Sequence, residues 1–249
     1  MKVMLEPVTH NSTHIADNYQ HVMERIHKAA RSAGRDPASI RLVVVTKTQP
    51  LDIIRTVIEA GAHFLGENYA EEAISKKQGL VNYPGIGWHM IGHVQSRKAE
   101  LVVTYFNYLH SLDNLKLANR LNRFANILGC IFPLLLEFNV SGESSKYGWP
   151  AWQEETWEKL LPEIRQVLDL SNIKVHGLMT MAPFFPDPEQ ARPYFQRLCR
   201  LQQFLIRRLP QSDWSELSMG MSADFEVAVQ EGATWVRIGQ AILGPRQTN

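Results

Sequence analysis

The chain has 249 residues, with 26 Lys plus Arg against 25 Asp plus Glu and a formal net charge of +1, so no excess positive field is available to hold a nucleic-acid backbone or an acidic membrane. With 45% hydrophobic and 20% charged residues, it can bury the core of one large α/β domain or of two small ones. Glu6, Pro7 and His10 break up the amino-terminal stretch MKVMLEPVTHNSTH, which excludes a secretory signal, and no apolar run reaches the roughly 18 residues of a membrane span.

In chain order, residues 1–13 read as a flexible start, followed by a helix over His14 to Ala33 with Ile15, Tyr19, Val22, Ile26 and Ala29 or Ala30 at helical spacing and Gly34 beyond its end. Strand-like runs then recur at Leu42 to Thr46, His63 to Leu65, Trp88 to Ile91, Tyr108 to Ser111, Leu134 to Asn139, Val175 to Met179, Glu216 to Met219 and Trp235 to Ile238. Between them lie amphipathic stretches, among them Leu51 to Ala60, Leu115 to Ile127, Ala151 to Leu168 and Glu189 to Arg208, each long enough for a crossover helix. Eight such β-then-α units predict an α/β fold, a single (β/α)8 TIM barrel with an extra N-terminal helix. A doubly wound open sheet is the competing topology. No linker, charge block or low-complexity segment marks a boundary, so the expectation is one domain over residues 1–249. Cys130 and Cys199 lie in apolar-rich segments without metal or redox spacing, which predicts two buried, unpaired thiols in a cytoplasmic protein.

Barrel chemistry gathers at the carboxyl ends of the strands. The first strand ends in Thr46 and Lys47, and the next runs are followed by GENY (66–69), HMIGHVQSRK (89–98), HSLDN (110–114), NVSGESSKYG (139–148) and GLMTMAP (177–183). The last two loops, LSMGMSADF (217–225) and VRIGQAILG (236–244), combine glycine, a hydroxyl or amide side chain and a helix start, the ingredients of a phosphate cup. Ordinary tight connections capped by Ser and Gly look the same. Taken alone, Lys47 reads as a surface lysine whose stem packs on the core rather than as a Schiff-base former. At a strand end, however, desolvation disfavours its charged form and leaves an amine for imine chemistry. Lys47, the cup across the mouth and Arg237 on the last strand together supply an aldehyde partner, a phosphate partner and a pyridine-nitrogen partner, as pyridoxal 5'-phosphate (PLP) requires.

Other candidates are weaker. His89 and His93 straddle a strand end and Gly92, so they do not share a helix face as zinc pairs do. His10, His14 and His21 fit a solvated helix. Ser145, Lys146 and Tyr147 form either a polar lid or a plain loop. Trp149, Trp152 and Trp157 lack the basic stripe of a nucleic-acid platform and read as packing or a partner patch.

The motifs VTK (45–47), GENY, HMIGHVQSRK, GLMTMAP and LSMGMSADFEVAVQEGATWVRIG (217–239) closely resemble those of the YggS/PROSC family of PLP homeostasis proteins, over nearly the whole chain. The resemblance implies an alanine racemase-like barrel (fold type III among PLP proteins). It implies PLP held as a Schiff base on Lys47, its phosphate held by Ser222 and the backbone of Gly239 and Gln240, Arg237 facing the pyridine nitrogen, and Asn68, Met179 and Met219 lining the ring. Gln240, Leu243 and Arg97 stand where the family usually has Thr, Phe and Asn, and only the first touches the cofactor. A guanidinium donates a hydrogen bond but does not readily hand over its proton, so the ring would remain a weak electron sink.

The expectation is a carrier, not an enzyme, that stores PLP or delivers it to apo PLP-dependent enzymes, as a monomer or at most a weak dimer, with no nucleic-acid or membrane partner. A PLP-dependent amino-acid racemase or lyase is the alternative, and a Schiff-base aldolase using Lys47 a more distant one. The racemase needs a second acid/base group opposite Lys47, for which Tyr69 and Tyr147 are the local candidates.

Overall fold

The computed structural model describes residues 12–244, so residues 1–11 of the expected flexible start lie outside the described residues. Helix α1 (Ser12–Ser32) begins two residues before the position expected from periodicity. It buries Ile15, Tyr19, Val22, Ile26, Ala29 and Ala30, the stripe read from the sequence. It runs across the outside of the barrel: Asn18 Nδ2 donates to Ile242 O at 3.2 Å, Tyr19 OH to Gly61 O at 2.9 Å, and Arg25 pairs with Glu226 at 2.8 Å. The helix thereby ties the last unit to the first.

The eight expected strands are β1 (Arg41–Val45), β2 (Phe64–Glu67), β3 (Gly87–Met90), β4 (Tyr108–Leu112), β5 (Phe132–Asn139), β7 (Ile173–Met179), β8 (Glu216–Ser218) and β9 (Trp235–Ile238). All pair in parallel, β1 with both β2 and β9, and the β4–β5 pairing closes the ring. The closed barrel excludes the open doubly wound sheet. A two-residue strand, β6 (Trp149–Pro150), adds to the end of β5 outside the ring.

Two expected helices are divided, and proline is the reason. Residues 151–168 form a 3-10 turn (Glu154–Leu160) and then α6 (Leu161–Leu168), with Pro162 in the first turn of α6. A 3-10 turn (Pro188–Ala191) likewise precedes α7 (Arg192–Arg208), which carries Pro193 in its first turn. Proline has no N–H for an i→i−4 bond and is tolerated only where that bond is missing anyway.

Strand parity sorts the side chains. Val43, Leu135, Met179 and Trp235 fill the barrel interior, while neighbours such as Val44, Leu134, Leu136, Leu178 and Val236 belong to the larger core between sheet and helices. One carboxylate closes the amino-terminal end: Glu216 accepts from Arg41 at 2.7 Å, Tyr108 OH at 2.7 Å and Trp235 Nε1 at 2.6 Å. The β5–β7 register shifts between Leu134 and Leu136, at Gly177, whose φ is +154° and whose added Cβ would lie 1.8 Å from Glu216 O. Cys130 and Cys199 are half-buried, less covered than their apolar neighbours predict. Cys199 Sγ donates to Glu231 O at 2.9 Å, and burial pushes its thiol up to about 11. Among the described residues no helix is long and apolar enough to cross a membrane.

Candidate functional site

Two cavities at the carboxyl-terminal mouth meet at Val45, Lys47, Met221 and Arg237. One, of about 350 Å³, includes Ser222, Ala223, Gly239 and Gln240. The other, of about 450 Å³, extends past Asn68, Tyr69, His93 and Tyr147.

Their walls follow from counting by two along the strands. Val45, Glu137, Met181 and Arg237 each lie two residues beyond Val43, Leu135, Met179 and Trp235, so they form the layer above the interior plug and line the cavity. Lys47 continues the same face two residues past Val45 and is half-buried. The Lys47 and Arg237 side chains thus arrive from adjacent, paired strands.

Of the eight candidate cofactor residues, the structure gathers Lys47, Asn68, Ser222, Arg237, Gly239 and Gln240 around these two cavities. Met179 and Met219 stand elsewhere. Met179 is one layer too deep, fully buried in the interior plug, and Met219 has the opposite parity and packs into the core between sheet and helices. The methionines on the cavity walls are Met90, Met181 and Met221.

Ser222 precedes α8 (Phe225–Gln230), and Gly239 precedes α9 (Gln240–Leu243). Ser222 Oγ accepts from Ala241 N at 3.3 Å, which joins the two loops into one cup. A Cβ on Gly239 would lie 3.0 Å from Val45 O, a tight approach that favours glycine where the chain passes β1. Gln240 is exposed at the cup rim.

Arg237 is 3% exposed, donates to Ser218 Oγ at 2.5 Å and to Thr180 O at 2.9 Å, and is held by burial down at about 10. Ser218 Oγ in turn meets His110 Nδ1 at 2.8 Å, and His110 Nε2 meets His89 Nδ1 at 2.8 Å. An arginine can only donate, so Ser218 accepts from it and keeps its own proton for His110. Burial pushes both histidines down, His89 to about 3, so this chain is neutral and holds the guanidinium without adding charge. Glu137, in the layer of Arg237, is pushed up to about 7 by burial and then by Asp113, with Arg237 opposing.

Both neighbours of Lys47 are clamped. Lys76 Nζ donates to Thr46 O at 2.6 Å and to Glu67 Oε1 and Glu72 Oε1 at 2.7 Å each. Thr46 Oγ1 donates to Glu67 at 2.6 Å, and Thr48 N donates to Glu72. Thr48 has φ +62°, uncommon for a β-branched residue, and the clamp holds it there. The sequence reading missed Lys76, Glu67, Glu72 and Glu137. Glu137 is detectable as the one charge in the run LLLEFN, and Glu67 as the acid ending the apolar stretch FLGE.

In the remaining loops, His93 Nδ1 lies 2.8 Å from Asp113 Oδ2, and its ring stacks on Tyr147 at 3.8 Å, while His89 sits inside the barrel. Lys146 Nζ donates to Met181 O at 2.9 Å and pairs with Glu143 at 2.6 Å, so the loop after β5 lies against the mouth. Trp149 and Trp157 are buried, and Trp152 is exposed.

A lysine and a buried arginine facing one cavity at the mouth of a parallel barrel, beside a serine and glycine cup, define a barrel of the alanine racemase type. The fold superposes on alanine racemase from Clostridium difficile with a TM-score of 0.68 at 17% identity, over 94% of this chain and 58% of that one. Residues 11–247 match the family described as alanine racemase, N-terminal domain. The chain belongs to that family, among its pyridoxal phosphate homeostasis proteins. It is 40% identical to the pyridoxal phosphate homeostasis protein of Pseudomonas aeruginosa, covering 93% of this chain and 96% of the relative, and 38% identical to that of Aquifex aeolicus, covering 91% and 96%. PipY of Synechococcus elongatus, solved with PLP bound, superposes with a TM-score of 0.79 at 34% identity over 92% of this chain and all of that one.

Proposed function

We propose that this protein binds PLP as a reversible Schiff base on Lys47 and stores or delivers it within the cytoplasm, without a dedicated substrate. The observation that carries this reading is that Lys47, Arg237 and the Ser222–Gly239–Gln240 cup open onto one continuous space. The residues fit the cofactor: an amine for the aldehyde, a hydroxyl and a close-approaching glycine for the phosphate, and a buried guanidinium whose donors suit an unprotonated pyridine nitrogen. Bound there, PLP would supply an electrophilic carbon and only a weak electron sink. The chain's own residues position Lys47, hold the phosphate and keep Arg237 charged yet unable to give up its proton. The relatives named for PLP homeostasis, and PipY with PLP bound, support the reading, and two cysteines without a disulfide suit a reducing compartment. Apo PLP-dependent enzymes are the recipients that this role requires.

A visible spectrum before and after borohydride, followed by peptide mapping, tests it. The pyridoxyl group should map to Lys47, and Lys47→Ala should be colourless. A label chiefly on Lys98 or Lys146 would overturn the assignment. A PLP-dependent racemase or lyase is the second reading, favoured by Tyr69 and Tyr147 lining the same cavity as Lys47. Loaded protein in deuterated water should show no more than trace exchange of the α-proton of alanine or serine. Rapid exchange lost in Tyr69→Phe or Tyr147→Phe would promote the enzyme.

A further inference from the structure

A carrier that holds an aldehyde as an imine must let it go, and the larger cavity holds a group suited to that step. His93 follows β3, Asp113 follows β4 and Tyr147 follows β5, so three loops meet here: His93 and Tyr147 line the wall that also bears Lys47, and Asp113 stands against His93. Asp113 has a side chain only 5% exposed, takes a hydrogen bond from Asn114 on its other oxygen at 2.5 Å, and meets His93 Nδ1 at 2.8 Å. Tyr147 stacks on the imidazole with the planes 11° apart. A carboxylate can only accept, so His93 carries its proton on Nδ1 and presents Nε2 as a base. Asp113 and Tyr147 fix the ring as an orienting carboxylate and a packing wall would for a general base.

We propose that the cavity lined by His93, Tyr147 and Lys47 receives a primary amine, and that His93 is the base that makes this amine a nucleophile so that PLP can leave Lys47. The proposal rests on the Schiff base assigned above. An arriving R–NH3+ gives one proton to His93 Nε2. Its lone pair adds to the carbon joined to Lys47, and the C–N bond to Lys47 breaks. The two remaining amine hydrogens pass to the departing lysine nitrogen, and the proton borrowed by His93 returns to make it an ammonium. No oxidant or further reactant is needed. The amine can be a free small molecule or the side chain of a receiving enzyme's lysine. Both share this chemistry, and the cavity of about 450 Å³ admits either a small amine or an extended lysine side chain.

The test mixes PLP-loaded protein with glycine or with Nα-acetyllysine amide and follows the transfer rate by absorbance. His93→Gln should slow transfer to both amines by roughly 100-fold, and Asp113→Asn by less. PLP affinity should stay within about twofold, and imidazole in solution should restore the rate of a His93→Ala variant. Faster transfer to acetyllysine amide than to glycine points to an enzyme's lysine as the source, and the reverse to a free amine. In the apoprotein, long-range proton–nitrogen NMR should find the His93 proton on Nδ1. An unchanged rate in His93→Gln, a rate loss matched by lost affinity, or a proton on Nε2 overturns the proposal. If wild-type protein forms no adduct on Lys47, the proposed function falls with it. If the adduct forms normally but its release ignores His93, only the present inference falls.

Discussion

At the scale of single residues, the lysine that meets the cavity depends on a second lysine that does not. Lys76 is 7% exposed and compensates the buried Glu67, whose Oε2 has no hydrogen-bond partner among the described residues. Lys76→Met leaves that carboxylate buried without its counter-charge, and loss of one partner of a buried pair costs about 3–5 kcal/mol. Urea unfolding should show this loss, with much of it recovered in the Lys76→Met/Glu67→Gln double variant, whereas additive losses would mean that the two residues are not coupled. Glu137 makes a pH prediction. Burial raises its carboxyl from 4.5 to about 7, so between these values the folded state holds a proton that the unfolded chain has released. Its contribution is fully present below about pH 4.5 and lost as pH rises through about 7, amounting to at most about 3.5 kcal/mol. Compared by thermal melts at pH 5 and pH 8, the wild type should lose more stability across this interval than Glu137→Gln. Equal losses would remove Glu137 as the cause.

At the scale of elements, the strand ends and the loops after them carry separable duties. Ser222 lies in the loop before α8 and contributes to the cup without filling the core, being only half-buried. Ser222→Asp should weaken PLP binding at least tenfold through repulsion at the phosphate while leaving the urea midpoint within about 0.5 kcal/mol of wild type. Fluorescence titration with PLP checks the first part, and unchanged affinity would remove the cup from the account. Gly177 bears on the sheet instead. Its backbone occupies a region nearly restricted to glycine, at the β5–β7 register shift, and a Cβ there would collide with the carbonyl of Glu216. Gly177→Ala should destabilise by at least about 2 kcal/mol, read from the urea midpoint, because strand backbone must move to accept the methyl group.

At the scale of the whole molecule, period-two runs and crossover-length segments were enough to read eight units and the residues that follow each strand. Both signals are local, and each unit carries its own copy. Lys47, Ser222, Arg237, Gly239 and Gln240 were legible for the same reason, since a barrel of parallel strands delivers every strand's carboxyl end to one mouth. The sequence alone therefore determined which segments face the site. Tertiary structure decided depth and partnership. Met179 and Met181 share a strand face, and only the heights at which neighbouring strands pair set which of them reaches the cavity. Lys76 and Glu67 find Thr46, and His93 finds Asp113, across more than one element. No local period links such residues, because their proximity exists only once β1 has paired with β2 and β3 with β4.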